Sequence, residues 1–345
     1  MLYFCTYFDS NYLIKGLALY RSLVRHVIRF RLWVLCFDDQ VYKILQKINL
    51  PEVIPILLRD FEEGDEKLLQ AKSNRSKIEY YFTCTPSLPL YVLRNYSQVD
   101  VITYLDADLF FFSDPSPIYQ ELDMGSVLII GHRFPPHLRH LEAHGIYNVG
   151  FLSFRRNDAG LECLHWWRNR CLKWCYDRAE DGCYADQKYL DDWPTRFQGV
   201  LVLQHKGGGL APWNVENYSL GLGNGQVLVD SQPLMFFHFH GLNQLRRWLY
   251  DPHLEWYRIH IDSLLKHHIY NPYLKELQEV IHWITDSGLT KQYYINMSSI
   301  RDGSSGMDVS RNIFWKITSN IKHKLFMTKK IFEGHLLVMI GDKVI

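Results

Sequence analysis

The chain has 345 residues, enough for one large α/β domain or one domain with a helical appendage, and its 47% hydrophobic and 15% aromatic content excludes a disordered chain. A formal net charge of +1 gives no general pull toward nucleic acid, so none is expected as a partner. The odd count of seven cysteines and an amino terminus without a signal-peptide pattern lead to the expectation of a reducing, cytoplasmic setting. No uninterrupted apolar stretch is long enough to cross a bilayer.

The first element is a strand from Leu2 to Tyr7, followed by the turn Asp9-Ser10-Asn11. A helix follows on which Tyr12, Leu13, Leu17, Tyr20, Leu23 and Val24 recur at helical spacing. Arg31 to Phe37 reads as the next strand, Asp38-Asp39 as a helix start, and Val53 to Leu58 as a third strand. A polar segment from Arg59 to Arg75 leads into a helix over about 86–96. Strands alternating with helices imply right-handed crossovers and a mainly parallel sheet, with ligands beyond the carboxyl ends of its strands. Thr6, Tyr7 and Asp9 fall at such an end, which suits a nucleotide base; an edge-of-core tyrosine is the plain alternative for Tyr7.

The run Val101 to Phe112 holds Asp106-Ala107-Asp108 at the end of a β-branched, aromatic-rich strand. Ionised aspartates there are costly unless neutralised, and a hard divalent cation is the cheapest neutraliser of two converging carboxylates. In a regular strand Asp106 and Asp108 share one face, and the small Ala107 lets a ligand approach the backbone. A bare Asp-x-Asp also occurs by chance in exposed turns, so the pair alone marks a candidate metal–diphosphate site.

Four further clusters follow. Tyr147 to Phe154 reads as a strand whose Asn148 and Gly150 suit hydrogen bonding to a polyol at close range. Asp186-Gln187 stands at a helix start, where a plain N-terminal cap is the alternative for Asp186. His205 to Asn214 is a glycine-rich loop with one cation, Lys206, and no dinucleotide fingerprint. Pro233 to Gly241 alternates so that His238 and His240 share a face; one of them, brought beside Asp106 and Asp108, would complete a shell suited to manganese. Cys171, Cys175 and Cys183 with His165 match no tight zinc knuckle and are expected to be buried thiols.

In this order, Asp106-Ala107-Asp108, Asn148-Val149-Gly150-Phe151, Asp186-Gln187 and His238-Phe239-His240-Gly241 resemble the family 8 type of nucleotide-sugar glycosyltransferases, the group of glycogenin and bacterial lipopolysaccharide galactosyl- and glucosyltransferases. The resemblance spans roughly Leu2 to Trp248. It implies a GT-A fold, α/β with a mainly parallel central sheet flanked by helices. It also implies Mn²⁺ or Mg²⁺ held by Asp106, Asp108 and His238 against the diphosphate of a sugar donor. By the same resemblance Thr6, Tyr7 and Asp9 form the first nucleotide loop and Ala107 approaches the ribose. Asn148 and Gly150 then line the donor sugar, and Asp186 and Gln187 hold its hydroxyls. The activity implied is transfer of a hexose from UDP-galactose or UDP-glucose to a glycan or lipid-linked hydroxyl, with retention.

Gln244 stands where many family members carry a diphosphate-binding lysine. Arg246, Arg247, Lys206 or Arg75, from the cluster Lys72, Arg75 and Lys77, are candidates for the missing cation; a solvated loop is the alternative for that cluster. Residues 1–250 are expected to form the catalytic domain and 251–345 a helical C-terminal appendage. Within it, about 307–333 carries six Lys and Arg from Arg311 to Lys330 and an apolar face of Ile313, Ile317, Ile321 and Leu325. That pattern suits peripheral contact with an anionic membrane surface or docking on the catalytic domain. A nucleotidyltransferase or sugar-nucleotide pyrophosphorylase is the alternative enzyme, although Leu2 to Asn11 lacks its basic glycine-rich loop; a non-catalytic carbohydrate-binding protein is the other.

Overall fold

A computed structural model describes residues 1–289, 330, 331 and 333–344. They fall into two compact units, Met1–His240 and Gly241–Ile345.

The first unit opens with β1 (Leu2–Phe8), α1 (Leu13–His26), β2 (Phe30–Cys36), α2 (Asp39–Ile48) and β3 (Val53–Leu57). Asp38 caps α2 by accepting the Val41 N–H at 2.8 Å. Four helices follow, α3 (Leu58–Glu62), α4 (Glu66–Ser73), α5 (Lys77–Cys84) and α6 (Ser87–Asn95). The segment read as polar before Arg75 is thus helical; its turns are too short to show an apolar period. Then come β4 (Val101–Leu105), β5 (Leu109–Phe111), α7 (Ser116–Leu122), β6 (Val127–Gly131), β7 (Tyr147–Arg155) and α8 (Asp158–Lys173). The unit ends with α9 (Trp193–Arg196), β8 (Val200–Val202), β9 (Leu220–Gly223), β10 (Gln226–Val229), β11 (Gln232–Pro233) and β12 (Phe236–His238).

The central sheet has the order β3-β2-β1-β4-β7-β6-β8. Its pairings are parallel except those of β7, which runs antiparallel to both β4 and β6. It is mainly parallel and flanked by helices, as the sequence leads one to expect. All but one residue of β2 and the centre of β1 are buried, which is why these strands read as continuous apolar runs rather than alternating ones.

The second unit is not purely helical. It contains α10 (Asn271–Asp286) after a π-helical turn Leu265–Tyr270, and also a four-stranded sheet of β13 (Asn243–Arg246), β14 (Leu249–Asp251), β15 (Leu337–Ile340) and β16 (Lys343–Val344). These strands have two to four residues, too few for a period of two to register. Nearly all of the basic segment 307–333 lies outside the described residues. No helix among the described residues is long and apolar enough to cross a membrane.

Candidate metal centre

The Asp106-Ala107-Asp108 segment stands at the end of a strand, as expected, but it forms a turn rather than continuing the alternation of that strand. β4 stops at Leu105, the Asp106 N–H donates to the Gly150 carbonyl of β7 at 2.9 Å, and the Leu109 N–H closes back on the Asp106 carbonyl at 3.2 Å. β5 then restarts and pairs antiparallel with β12, setting His238 opposite Leu109. The Phe239 N–H donates to the Asp108 carbonyl at 3.0 Å and the His238 N–H to that of Leu210 at 2.9 Å. The backbone hydrogen bonds of the turn thus deliver the imidazole to the acids.

His238 Nε2 lies 3.1 Å from Asp108 Oδ1 and 3.6 Å from Asp106 Oδ2. One ligand atom from each of the three falls within 4.8 Å of the others, and among the described residues no other group of three His, Cys, Asp or Glu does so. The Cys171, Cys175 and Cys183 region accordingly forms no such group; its thiols are free, and the first two are buried. His238 and Asp108 side chains are 4% and 9% exposed and that of Asp106 is 30% exposed, so the cluster opens to solvent on the Asp106 side. Two carboxylates and an imidazole within this span fit a hard divalent ion such as Mn²⁺ or Mg²⁺.

The electrostatics match a site built for positive charge. Burial pulls His238 down, but Asp108 and Asp106 outweigh it and raise its pKa above 6.5. Burial raises Asp108, yet His238 and then Lys15 hold it below the usual carboxylate range. Asp106 is raised, chiefly by burial, against the pull of His238 and a hydrogen bond donated by the Tyr104 hydroxyl at 2.7 Å.

Asp186 is buried and near enough to feel the same field. Burial, then Asp106, push its carboxyl up to about 7 against a hydrogen bond from Thr85. It caps no helix: Ala185 before it has φ 45°, the next turn (Lys188–Asp192) has Gln187 at its cap position, and the Asp186 carbonyl takes the Trp167 indole N–H at 2.8 Å. The Gln187 amide donates to the His144 carbonyl at 3.1 Å. Asn148 Oδ1 accepts the Gly150 N–H at 2.9 Å, and its amide meets His132 Nε2 at 3.3 Å. Gly150 has no room for a side chain, because a Cβ there would sit 2.7 Å from Asn148 Oδ1 and 2.8 Å from His238 Cε1.

On β1, Tyr7 is raised by burial and by Asp186 and Asp106, and its hydroxyl lies 3.1 Å from Thr85 Oγ1. Asp9 is gripped by Lys77 at 2.8 Å and by the Tyr81 hydroxyl at 3.2 Å. Thr6 is fully buried. Ala107 is buried inside the turn.

Two expected cations are engaged elsewhere. Arg75 stacks 3.9 Å from the Tyr176 ring and donates to its hydroxyl at 2.5 Å, and Lys206 pairs with Asp230 at 2.8 Å. Gln244 donates to the Tyr250 hydroxyl at 3.0 Å. His240 does not share the buried face of His238: it follows the end of β12 and is exposed.

Sequence reasoning missed Lys15, Tyr104, His132 and Trp213. Lys15 Nζ is 3.9 Å from Asp108 Oδ2, and the Trp213 ring stands 5.2 Å from those of both His132 and His238. Tyr104 lay in plain view two residues before Asp106, at the strand spacing that puts both side chains on one face.

No family model matches the chain. It is 33% identical over 288 residues to the uncharacterized protein YfnD of Bacillus subtilis (strain 168), covering 82% of this chain and 90% of YfnD. It is also 33% identical over 246 residues to YfnF of the same strain, covering 69% of this chain and 80% of YfnF. Among solved structures it is similar to the galactosyltransferase LgtC in complex with donor and acceptor sugar analogs, at 15% identity and a TM-score of 0.45, over 72% of this chain and 89% of that one. The glycosyltransferase GlyE of Streptococcus pneumoniae TIGR4 aligns at 13% identity and a TM-score of 0.47, over 84% of this chain and 64% of that one.

Proposed function

The chain belongs to the family of the Bacillus subtilis proteins YfnD and YfnF, and from that premise we propose that it is a metal-dependent glycosyltransferase of GT-A type acting on a nucleotide-sugar donor. The observation that carries this reading is the convergence of Asp106, Asp108 and His238 beyond the carboxyl ends of β1 and β4, where ligands of parallel sheets sit.

Asp106, Asp108 and His238 would hold Mn²⁺ or Mg²⁺, and the bound ion supplies Lewis-acid stabilisation to the departing nucleoside diphosphate. Asp186 accepts hydrogen bonds from donor-sugar hydroxyls and so orients the reacting carbon. Burial and Asp106 push its carboxyl up to about 7 in the metal-free chain, and a cation bound at Asp106 would favour the carboxylate that accepts those hydrogen bonds. Asn148 and Gln187 line the same sugar, with the bare backbone of Gly150 letting Asn148 and His238 pack against it. Tyr7 and Asp9 bound the nucleotide end, with Thr6 packed beneath them. Donor sugars of first choice are galactose and glucose on UDP, the acceptor is a glycan or lipid-linked hydroxyl, and transfer proceeds with retention. The basic pattern from Arg311 to Lys330 supports an acceptor at an anionic membrane surface on the cytoplasmic side.

Without acceptor, such an enzyme slowly hydrolyses its donor. A screen of nucleotide-sugars with Mn²⁺ is expected to release UDP and free hexose from UDP-galactose or UDP-glucose, and Asp106→Asn with Asp108→Asn to release none. Hydrolysis that persists in that double variant or in excess chelator would refute the reading.

A further inference from the structure

We infer that Lys15 is the cation that meets the diphosphate of the donor, in place of the lysines and arginines that the sequence offers for this task. The inference rests on the transferase reading above and adds a binding residue to it.

The lysines with candidate roles in the first unit are already committed. Lys77 is 2.8 Å from Asp9, Lys206 is 2.8 Å from Asp230, and Lys72 is 2.7 Å from Glu62. Lys15 differs. Its ammonium makes a long ion pair with Asp108, 3.9 Å from Oδ2 and beyond hydrogen-bond distance, and lies 4.5 Å from the centre of the Tyr12 ring. Its side chain is 16% exposed. A mostly buried ammonium that no carboxylate approaches within hydrogen-bond distance has donors left for a further anion.

The placement is built in. Gly16 lies so close to the Phe8 ring that a Cβ would collide with it, so α1 packs tightly on β1 at the residue after Lys15. The Phe111 N–H donates to Ser22 Oγ at 3.1 Å and ties α1 to β5, the strand that follows Asp108. Lys15 is therefore held beside the acid pair by two contacts that do not involve its own charge.

Charge balance points the same way. A divalent ion held by Asp106, Asp108 and a neutral His238 imidazole would neutralise the two acids and leave the charge of Lys15 uncompensated. A diphosphate bound at this centre would supply the missing negative charge. That charge grows as the glycosidic bond breaks, so the same lysine favours departure of the leaving group.

Calorimetry of the full chain with Mn²⁺ alone, and with UDP and inorganic pyrophosphate in the presence of Mn²⁺, tests this. Lys15→Met is expected to weaken UDP and pyrophosphate by about 10- to 100-fold, with Lys15→Arg restoring much of the loss. Mn²⁺ alone should bind the Met variant as well as the wild type or better, because a repelling cation has gone. UDP affinity in Lys15→Met and Lys15→Gln within about twofold of wild type would overturn the inference. So would a parallel fall in Mn²⁺ and UDP affinity, which would make Lys15 an organiser of Asp108. If the wild-type chain with Mn²⁺ binds neither ligand, the transferase reading itself fails and takes the inference with it.

Discussion

Asp186 is a buried carboxyl that titrates at about 7 in the folded chain instead of at the ordinary 3.8. Between those values the folded chain binds more protons at this group than the unfolded chain does, so stability falls as pH rises from about 4 to 7. Holding this carboxyl up to about 7 costs on the order of 4 kcal/mol above pH 7. Asp186→Asn is therefore expected to stabilise the metal-free protein by an amount near zero at pH 4 that grows to its plateau by pH 8, while abolishing transfer. Denaturant unfolding at both pH values checks it; a gain equal at pH 4 and 8 would show that this carboxyl is not held out of its usual range.

A costly group kept in a buried position is what a functional role leads one to expect. The three residues that converge were legible: Asp106 and Asp108 from their chemistry and spacing, and His238, rather than His240, by resemblance. Lys15 was not, because on the helix it is one polar residue among apolar ones. Its meaning depends on how α1 packs against β1 and β5.

At the scale of elements, the site depends on the β5–β12 pairing, since His238 is the last residue of β12. Phe236 secures that short strand by stacking at 5.2 Å on Phe151 and lying 5.4 Å from Phe111. Phe236→Ala should cost about 3–5 kcal/mol of stability and weaken Mn²⁺ binding as well. A core truncation on α2, Leu45→Ala, should lower stability while leaving Mn²⁺ affinity near wild type. Gly150→Ala should displace His238 directly and lower Mn²⁺ affinity by at least about tenfold, as outer-shell changes do. Equal Mn²⁺ affinities across the three variants would show that the strand pairing does not position the metal ligands.

The long buried strands β1, β2, β4 and β7 could be read from sequence because their apolar runs exceed what turns tolerate. The apolar run Val101 to Phe112 shows that a strand ends at the aspartates, but not that β5 begins right after them. Two short strands flanking an Asp-Ala-Asp turn have the same hydropathy as one long strand, and only the hydrogen bonds from Asp106 and Leu109 tell them apart. The turn lets both carboxylates converge on His238 without strand alternation.

At the scale of the whole molecule, the ligands of the metal centre all lie in the first unit, although Asp106 and His238 are separated by more than a hundred residues. That separation is why the centre is more telling than a local acidic pair. The central claim is that this centre clamps a nucleoside diphosphate through a divalent cation. The most direct test is the affinity of the wild-type chain for UDP with Mn²⁺ and with chelator, beside the same titrations of Asp106→Asn and Asp108→Asn. UDP should bind the wild type only with Mn²⁺ and should bind neither variant under either condition; UDP binding of equal strength in chelator, or in both variants, would contradict the account.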